Sequence, residues 1–327
     1  MTFLRTNIPL KNYSYYKTGG VCYKFYSPSC IEGLQQALRE IREENLPYFL
    51  LGLGSNSLIT DEPWKGAVIS FAKLNRIILK DHTLTCGAGV ENSTVAKTAL
   101  EHSLAGCSWM YGLPGQIGGT VRMNARCYGG EINQIVTKVV SITPTGKVVC
   151  YSDHDLKAFG FRGYKNTIFM NNNELIVSCN LSLKKGCTDN ILQHMNSCKN
   201  DRITKGQYLH PSSGCIFKND YHPKVSLPAG LMLDNVGVRG LNKGQATVST
   251  KHANFIFNTS DASSQDILEL SLLMREKVWE ELGVWLEYEL EILGSLSEPL
   301  LKRIREKRSY NLNTTKLSNL QKMFRKR

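Results

Sequence analysis

The sequence predicts an α+β protein of more than one domain, and three observations carry that prediction. Its 327 residues exceed what one ordinary domain holds. Short strand-like runs recur with few helix patterns between them, which favours segregated strands and helices over a doubly wound parallel sheet. One stretch, residues 111–131 (YGLPGQIGGTVRMNARCYGGE), holds Gly112, Gly115, Gly118, Gly119, Gly129 and Gly130, with Pro114, Asn124 and Ala125 among them. Glycine so dense weakens regular structure but lets backbone approach a ligand closely. Successive N–H groups in such turns form concave anion sites, so the stretch reads as backbone wrapped around an anion.

Taken in order, residues 1–65 make the first expected domain. Residues 13–16 and 21–26 are rich in aromatics and read as strands about the turn Lys17-Thr18-Gly19-Gly20. Residues 32–45 carry Leu34, Leu38 and Ile41 at helix spacing, with charge on the other face. Residues 48–51 read as a short buried strand that runs into Gly52-Leu53-Gly54-Ser55-Asn56-Ser57. Position 57 lacks the third glycine of the dinucleotide fingerprint, so this reads better as a second phosphate-cradling loop than as a Rossmann motif.

Residues 66–203 make the second domain. Strand-like runs cover 66–71, 84–87, 139–143, 147–151 and 175–183, with one helix over 93–102 just ahead of the glycine stretch. In Phe159-Gly160-Phe161-Arg162-Gly163-Tyr164, Arg162 stands among aromatics. Its fixed charge would act strongly if partly desolvated; a surface arginine beside core rings is the plainer alternative.

Residues 204–294 form the third domain and 295–327 a basic tail. Pro211-Ser212-Ser213-Gly214-Cys215-Ile216-Phe217-Lys218-Asn219 is a polar turn entering an apolar run. Cys215 is either a buried structural thiol or a proton donor, since a thiol with a pKa of about 8.5 is mostly protonated at neutral pH. Residues 248–258 read as a strand containing His252, most simply a hydrogen-bonded structural histidine. A helix over 260–282 is capped by Ser260 or Ser263 and ended by Gly283. Its apolar face is Ile267, Leu270, Leu273, Met274, Val278 and Leu282. Residues 285–292 alternate, with Glu287, Glu289 and Glu291 on one face and Leu286, Tyr288, Leu290 and Ile292 on the other. In the tail, Leu300 and Ile304 at helical spacing suggest a frayed or surface-lying helix.

Composition narrows the class. Hydrophobic residues at 42% and charged residues at 21% suit a soluble globular protein. No apolar run approaches the roughly 18 residues of a membrane span, and the first residues lack a signal-peptide core. The 10 cysteines include no C-x-x-C pair, which argues against a metal site and favours reduced thiols in a cytoplasmic protein. A net charge of +12 raises nucleic acid as a partner, but most of the excess lies after residue 295, so no nucleic-acid partner is expected. The mildly basic body suits an enzyme that handles phosphorylated ligands.

GLGSNSLITD, YGLPGQIGGTVRMNARCYGGE, FGFRGY, PSSGCIFKN, VSTKHANFIFN, the long helix and GVWLEYELEILG follow one another in an order that resembles the UDP-N-acetylenolpyruvoylglucosamine reductase family over roughly residues 5 to 294. The resemblance implies an FAD-binding fold of the vanillyl-alcohol-oxidase type in two subdomains, with a C-terminal α+β substrate domain. It implies FAD as cofactor, held by Gly52, Leu53, Gly54, Ser55, Asn56, Ser57, Gly112, Pro114, Gly115, Gly118, Gly119, Asn124 and Ala125. It implies NADPH as co-substrate and a UDP-linked enolpyruvyl amino sugar as the molecule reduced, by a monomer.

Arg162 and Glu289 match the family's catalytic arginine and glutamate, and Cys215 stands where the family usually has a serine proton donor. Lys218 and Asn219 would stand nearby to position substrate, and His252 and Lys218 are the candidates to hold its diphosphate. Three departures stand out: Gly163-Tyr164 after the arginine, Arg126 where glycine is usual, and Tyr288 in place of a common proline. Arg126 would reach a flavin phosphate or the substrate diphosphate. Arg162 and Cys215 lie too close in sequence to admit the inserted tyrosine loop of one subtype. A flavin oxidase of the same cofactor fold, acting on an alcohol or sugar, is the alternative; it has no use for Arg162, Cys215 and Glu289 together.

Overall fold

The computed structural model describes residues 3–219, 225 and 227–325, apart from the side chains of Arg162 and Arg325. Contacts divide the chain into two units, each discontinuous in sequence. The first comprises Met1–Ile8, Cys22–Leu53 and Lys65–Arg202; the second comprises Pro9–Val21, Gly54–Trp64 and Ile203–Arg327.

The first unit is built on two larger sheets. One has four strands in the order Leu4–Pro9, Val21–Tyr26, Trp64–Ser70 and Tyr48–Leu51, the last two parallel. The other has five antiparallel strands in the order Val148–Tyr151, Val136–Ile142, Leu175–Ser182, Thr83–Gly87 and Ile77–Lys80. Helix Ile31–Glu43 turns Leu34, Ala37, Leu38 and Ile41 into the same core that takes Val139, Leu181 and Leu84 from the five-stranded sheet. The helix Asn92–Glu101 leads into the glycine stretch.

The second unit is built on the helix Ser264–Leu282. Ser263 caps it, its hydroxyl accepting from the Asp266 N–H while Asp266 accepts from the Ser263 N–H, and Gly283 ends it in the left-handed region at φ 68°. A three-stranded sheet (Asn242–Lys243, Ala246–Val248, Ile256–Asn258) and the helix Ala229–Asn235 share its core. Strand Ser57–Ile59 pairs in parallel with Glu291–Leu293. Two further helices, Glu298–Arg305 and Thr314–Arg325, follow.

Several local expectations need correction. Residues 13–16 are not a strand: Leu10–Tyr13 is a 3-10 turn, and Tyr16 is buried with its carbonyl accepting from Asn258 Nδ2 (2.8 Å). Residues 248–258 are two strands joined by a turn through His252, because the Ser249 hydroxyl accepts from the N–H groups of Lys251 and His252 and folds the chain back. The helix Thr188–Thr204 gave no sequence signal, since only Ile191, Met195 and Cys198 face inward among polar residues. Leu273 is 41% exposed rather than buried, while Arg275 is 2% exposed. In the tail, Leu300 and Ile304 lie on the helix Glu298–Arg305, which has no fully buried residue, whereas the helix Thr314–Arg325 sends Leu317 and Leu320 into the core of the second unit. No described helix is long and apolar enough to cross a membrane.

Candidate active site

In the first unit, the glycine stretch is less irregular than its composition suggests. After Gly112 (φ 84°) and Gly115 (φ 146°) turn the chain, Ile117–Arg122 forms a short helix containing Gly118 and Gly119. Gly118 is required by close packing: its N–H donates to the Ala88 carbonyl (2.8 Å), and a Cβ there would sit 2.9 Å from the Ala88 Cβ. Gly119 differs, because a Cβ there would meet nothing within 4 Å. Asn92 ties the approach down, its N–H donating to the Gly115 carbonyl (3.1 Å) and its Oδ1 accepting from Thr120 Oγ1 (2.9 Å). Beyond the helix, Asn124 is buried at φ 51° and donates to the Glu131 carboxylate (2.5 Å). Ala125 is buried beside it, its N–H bonded to the Thr120 carbonyl (2.9 Å). Pro114 precedes the helix, at the turn between Gly112 and Gly115.

Gly52, where the other glycine loop begins, meets this stretch inside the first unit. A Cβ on Gly52 would lie 3.2 Å from Gln116 Oε1, and that oxygen is buried without a hydrogen-bond partner. A buried, unpartnered amide oxygen is what a bound group with donors of its own would complete, and Gly119 leaves space for a ligand on its own face. These residues therefore fit a flavin nucleotide.

Arg162 lies on the strand Phe161–Gly163, which pairs with Asn166–Thr167; its side chain lies outside the described residues. The hairpin is fastened to the end of the glycine stretch. Thr167 Oγ1 donates to the Arg122 carbonyl (2.7 Å), and the Lys165 N–H donates to the Met123 carbonyl (2.8 Å). Two of the departures meet here, with the Arg126 guanidinium 5.2 Å from the centre of the Tyr164 ring.

The second unit gathers the remaining residues. Gly54 (φ 69°) admits no side chain, since a Cβ would lie 2.8 Å from the Tyr13 carbonyl. The Ser213 hydroxyl bridges the carbonyls of Gly54 (3.1 Å) and Ser57 (2.9 Å). Asn56 Nδ2 donates to the Glu289 carbonyl (3.3 Å), and the Asn56 carbonyl accepts from the Glu291 N–H (3.0 Å). Ser55 lies between Gly54 and Asn56 in this loop, and Leu53 ends the first unit just before it.

Cys215 and Glu289 are carried by segments that pair with each other. The Glu289 N–H donates to the Ile216 carbonyl (2.8 Å), the Lys218 N–H to the Glu287 carbonyl (2.9 Å), and Phe217 bridges Tyr288. Asn219 Nδ2 reaches the Cys215 sulfur (3.5 Å), and its Oδ1 accepts from the Gly230 N–H (3.4 Å). His252 is near, its Cε1 3.6 Å from where a Gly230 Cβ would stand. Its Nδ1 accepts from the Asn254 N–H (3.3 Å), so the neutral ring carries its proton on Nε2. Burial first, then the charge of Lys205, lowers its pKa from 6.5. The Lys218 ammonium pairs with Glu287 (3.0 Å).

Two residues that hold this arrangement were not singled out in the sequence. Asn254, fully buried, accepts from the Phe217 N–H (3.0 Å) and donates to its carbonyl (2.8 Å), acting as a strand partner through its side chain. Its signal was an amide inside the apolar run Ala253–Phe257, which must find partners when buried. Ser213 offered no signal beyond being a turn residue.

Comparison with known proteins agrees with this geometry. Residues 24–152 match the model of the FAD binding domain family, and residues 206–293 match that of the UDP-N-acetylenolpyruvoylglucosamine reductase C-terminal domain. The UDP-N-acetylenolpyruvoylglucosamine reductase of Clostridium novyi is 35% identical over 295 residues, covering 90% of this chain and 94% of that relative. The reductase of the same name from Borrelia garinii subsp. bavariensis is 38% identical over 288 residues, covering 87% and 92%. The crystal structure of the Thermus caldophilus enzyme of that class superposes with a TM-score of 0.73 at 31% identity, covering 89% of this chain and 99% of that one.

Proposed function

The chain belongs to the UDP-N-acetylenolpyruvoylglucosamine reductase family, and from that premise we propose how its own residues perform the reaction. It is an FAD-dependent oxidoreductase with an FAD-binding fold of the vanillyl-alcohol-oxidase type and the reductase C-terminal domain. It reduces UDP-N-acetylenolpyruvoylglucosamine to UDP-N-acetylmuramate in peptidoglycan precursor synthesis, with NADPH as co-substrate. When bound, FAD supplies the hydride relay between NADPH and the enolpyruvyl double bond. Gly52, Gln116 and the backbone around Gly119 are the residues of the first unit proposed to hold it.

Hydride addition to the terminal carbon leaves negative charge on the carbon next to the substrate carboxylate, and that charge needs donors in a dry site. Arg162 supplies a fixed positive charge. Glu289 serves an anion only as its protonated acid, donating a hydrogen bond. Cys215 then gives its thiol proton to that carbon, which forms the C–H bond and leaves a thiolate. Asn219 Nδ2, 3.5 Å from the sulfur, donates to it. His252 Nε2–H is the proposed donor to the substrate diphosphate; Lys218 joins only by exchanging Glu287 for substrate.

The observation that supports this assignment is the pairing of the Ile216 carbonyl with the Glu289 N–H (2.8 Å), which sets the segment just after Cys215 against the one that carries Glu289. The working unit of this reading is a monomer, and the free cysteines suit the cytoplasm. The test is turnover. FAD-loaded protein given NADPH and the enolpyruvyl sugar nucleotide should oxidise NADPH and yield a product heavier by two hydrogens. No NADPH oxidation above that without the sugar nucleotide would refute the reading.

A further inference from the structure

Among the described residues Arg275 is the largest fully buried side chain, at 2% exposure in the middle of the Ser264–Leu282 helix. Among the described residues no carboxylate forms an ion pair with it. Its guanidinium instead lies between two rings, 4.1 Å from the centre of Trp285 and 4.7 Å from that of Tyr288. Its Nη1 and Nη2 donate to the carbonyls of Ile304 (3.2 Å) and Arg303 (2.6 Å). Those carbonyls end the helix Glu298–Arg305, where unsatisfied acceptors and the negative end of the dipole favour a cation. A buried charge thus joins the tail to the aromatic face of the 284–291 segment.

Other contacts run the same way. Trp285 Nε1 donates to the Glu306 carbonyl (2.8 Å), and Arg308 lies 4.3 Å from the Trp285 ring centre. The N–H groups of Asn311 and Asn313 donate to the carbonyls of Gly283 (3.0 Å) and Leu282 (3.1 Å). Tyr288 in turn bonds Ser271 through its hydroxyl (2.9 Å) and packs on Phe217 with ring centres 5.1 Å apart. Its neighbour in sequence is Glu289, and its partner Phe217 follows Cys215 by two residues. The matched C-terminal family domain ends at residue 293, before this strap begins.

We infer that residues 295–325 are an internal brace that holds Glu289 in register with the Cys215 segment, and that Arg275, acting through Tyr288, is a positioning residue for the reduction step. The inference rests on the role proposed for Glu289. A rigid planar guanidinium held between two rings and two carbonyls fixes the floor of the Phe217–Tyr288 pair. A displacement there of even about an ångström would slow the chemistry while leaving cofactor binding alone.

The test uses full-length, FAD-loaded protein without oxygen. Bleaching of the flavin by NADPH and its reoxidation by the enolpyruvyl sugar nucleotide are timed separately. Arg275→Met should retain FAD, bleach at the wild-type rate and reoxidise about ten-fold more slowly at saturating sugar nucleotide, with KM little changed. Arg275→Lys should recover part of the loss. In a Glu289→Gln background, Arg275→Met should cost nothing further. Unchanged reoxidation, equal slowing of both steps, loss of FAD, or a full further loss in that background would overturn the inference. Failure of wild-type protein to reoxidise would instead strike the functional reading itself.

Discussion

Cys215 concentrates the residue-scale claims. A hydroxyl in its place keeps a proton at the same position, so Cys215→Ser should retain much of the turnover. Cys215→Ala should bleach with NADPH yet fail to turn over, and turnover by the alanine variant near the wild-type rate would remove Cys215 from the mechanism. His252 makes a pH claim with a defined sign. Its folded pKa lies below the unfolded 6.5, so the unfolded chain takes up the proton first as pH falls. Its neutral state stabilises the fold fully above pH 6.5 and progressively less below it. Thermal melts of His252→Gln should therefore lose less stability than wild type on acidification below pH 6.5. Cys215 and Glu289 were singled out in the sequence only through the resemblance, because alone they also fit a buried thiol and a solvated strand face. Asn254 and Arg275 were not, because an amide that substitutes for a strand and a cation held by rings are visible only once their partners are in place.

At the scale of elements, the glycine stretch separates two uses of glycine that composition merges. Gly118 packs on Ala88, whereas Gly119 faces open space. Gly119→Val should fold and melt near wild type but bind FAD weakly, which the absorbance of the purified protein would reveal. The helix Ser264–Leu282 was readable from Ser263 to Gly283 because caps are local chemistry. Ser263→Ala should lower stability by about 1 kcal/mol. Gly283→Ala should cost more, roughly 2 kcal/mol or above, since φ is 68° and a Cβ would stand 1.6 Å from the Asn311 carbonyl oxygen. A thermal melt ranks the two. The helix Thr188–Thr204 and the helical turn inside the glycine stretch were illegible for opposite reasons. One has too few apolar residues to show a period, and the other has glycines that argue against helix until packing overrides them.

For the whole molecule, the order of motifs carried more than any single motif, because each alone also fits a turn or a solvated face. The basic tail stood out in the sequence by its charge, but its packing required the aromatic cluster of the second unit to be seen. Division into two discontinuous units was also invisible to a linear reading, since the second unit takes Pro9–Val21 and Gly54–Trp64 from the early chain. The central claim is that hydride from NADPH reaches the enolpyruvyl carbon through FAD held by this chain. Anaerobic absorbance of the flavin tests it most directly. NADPH should bleach the protein-bound FAD, and the enolpyruvyl sugar nucleotide added afterwards should restore the oxidised spectrum in one equivalent. A protein that takes up no FAD, or one whose bleached flavin is unmoved by the sugar nucleotide, would contradict it.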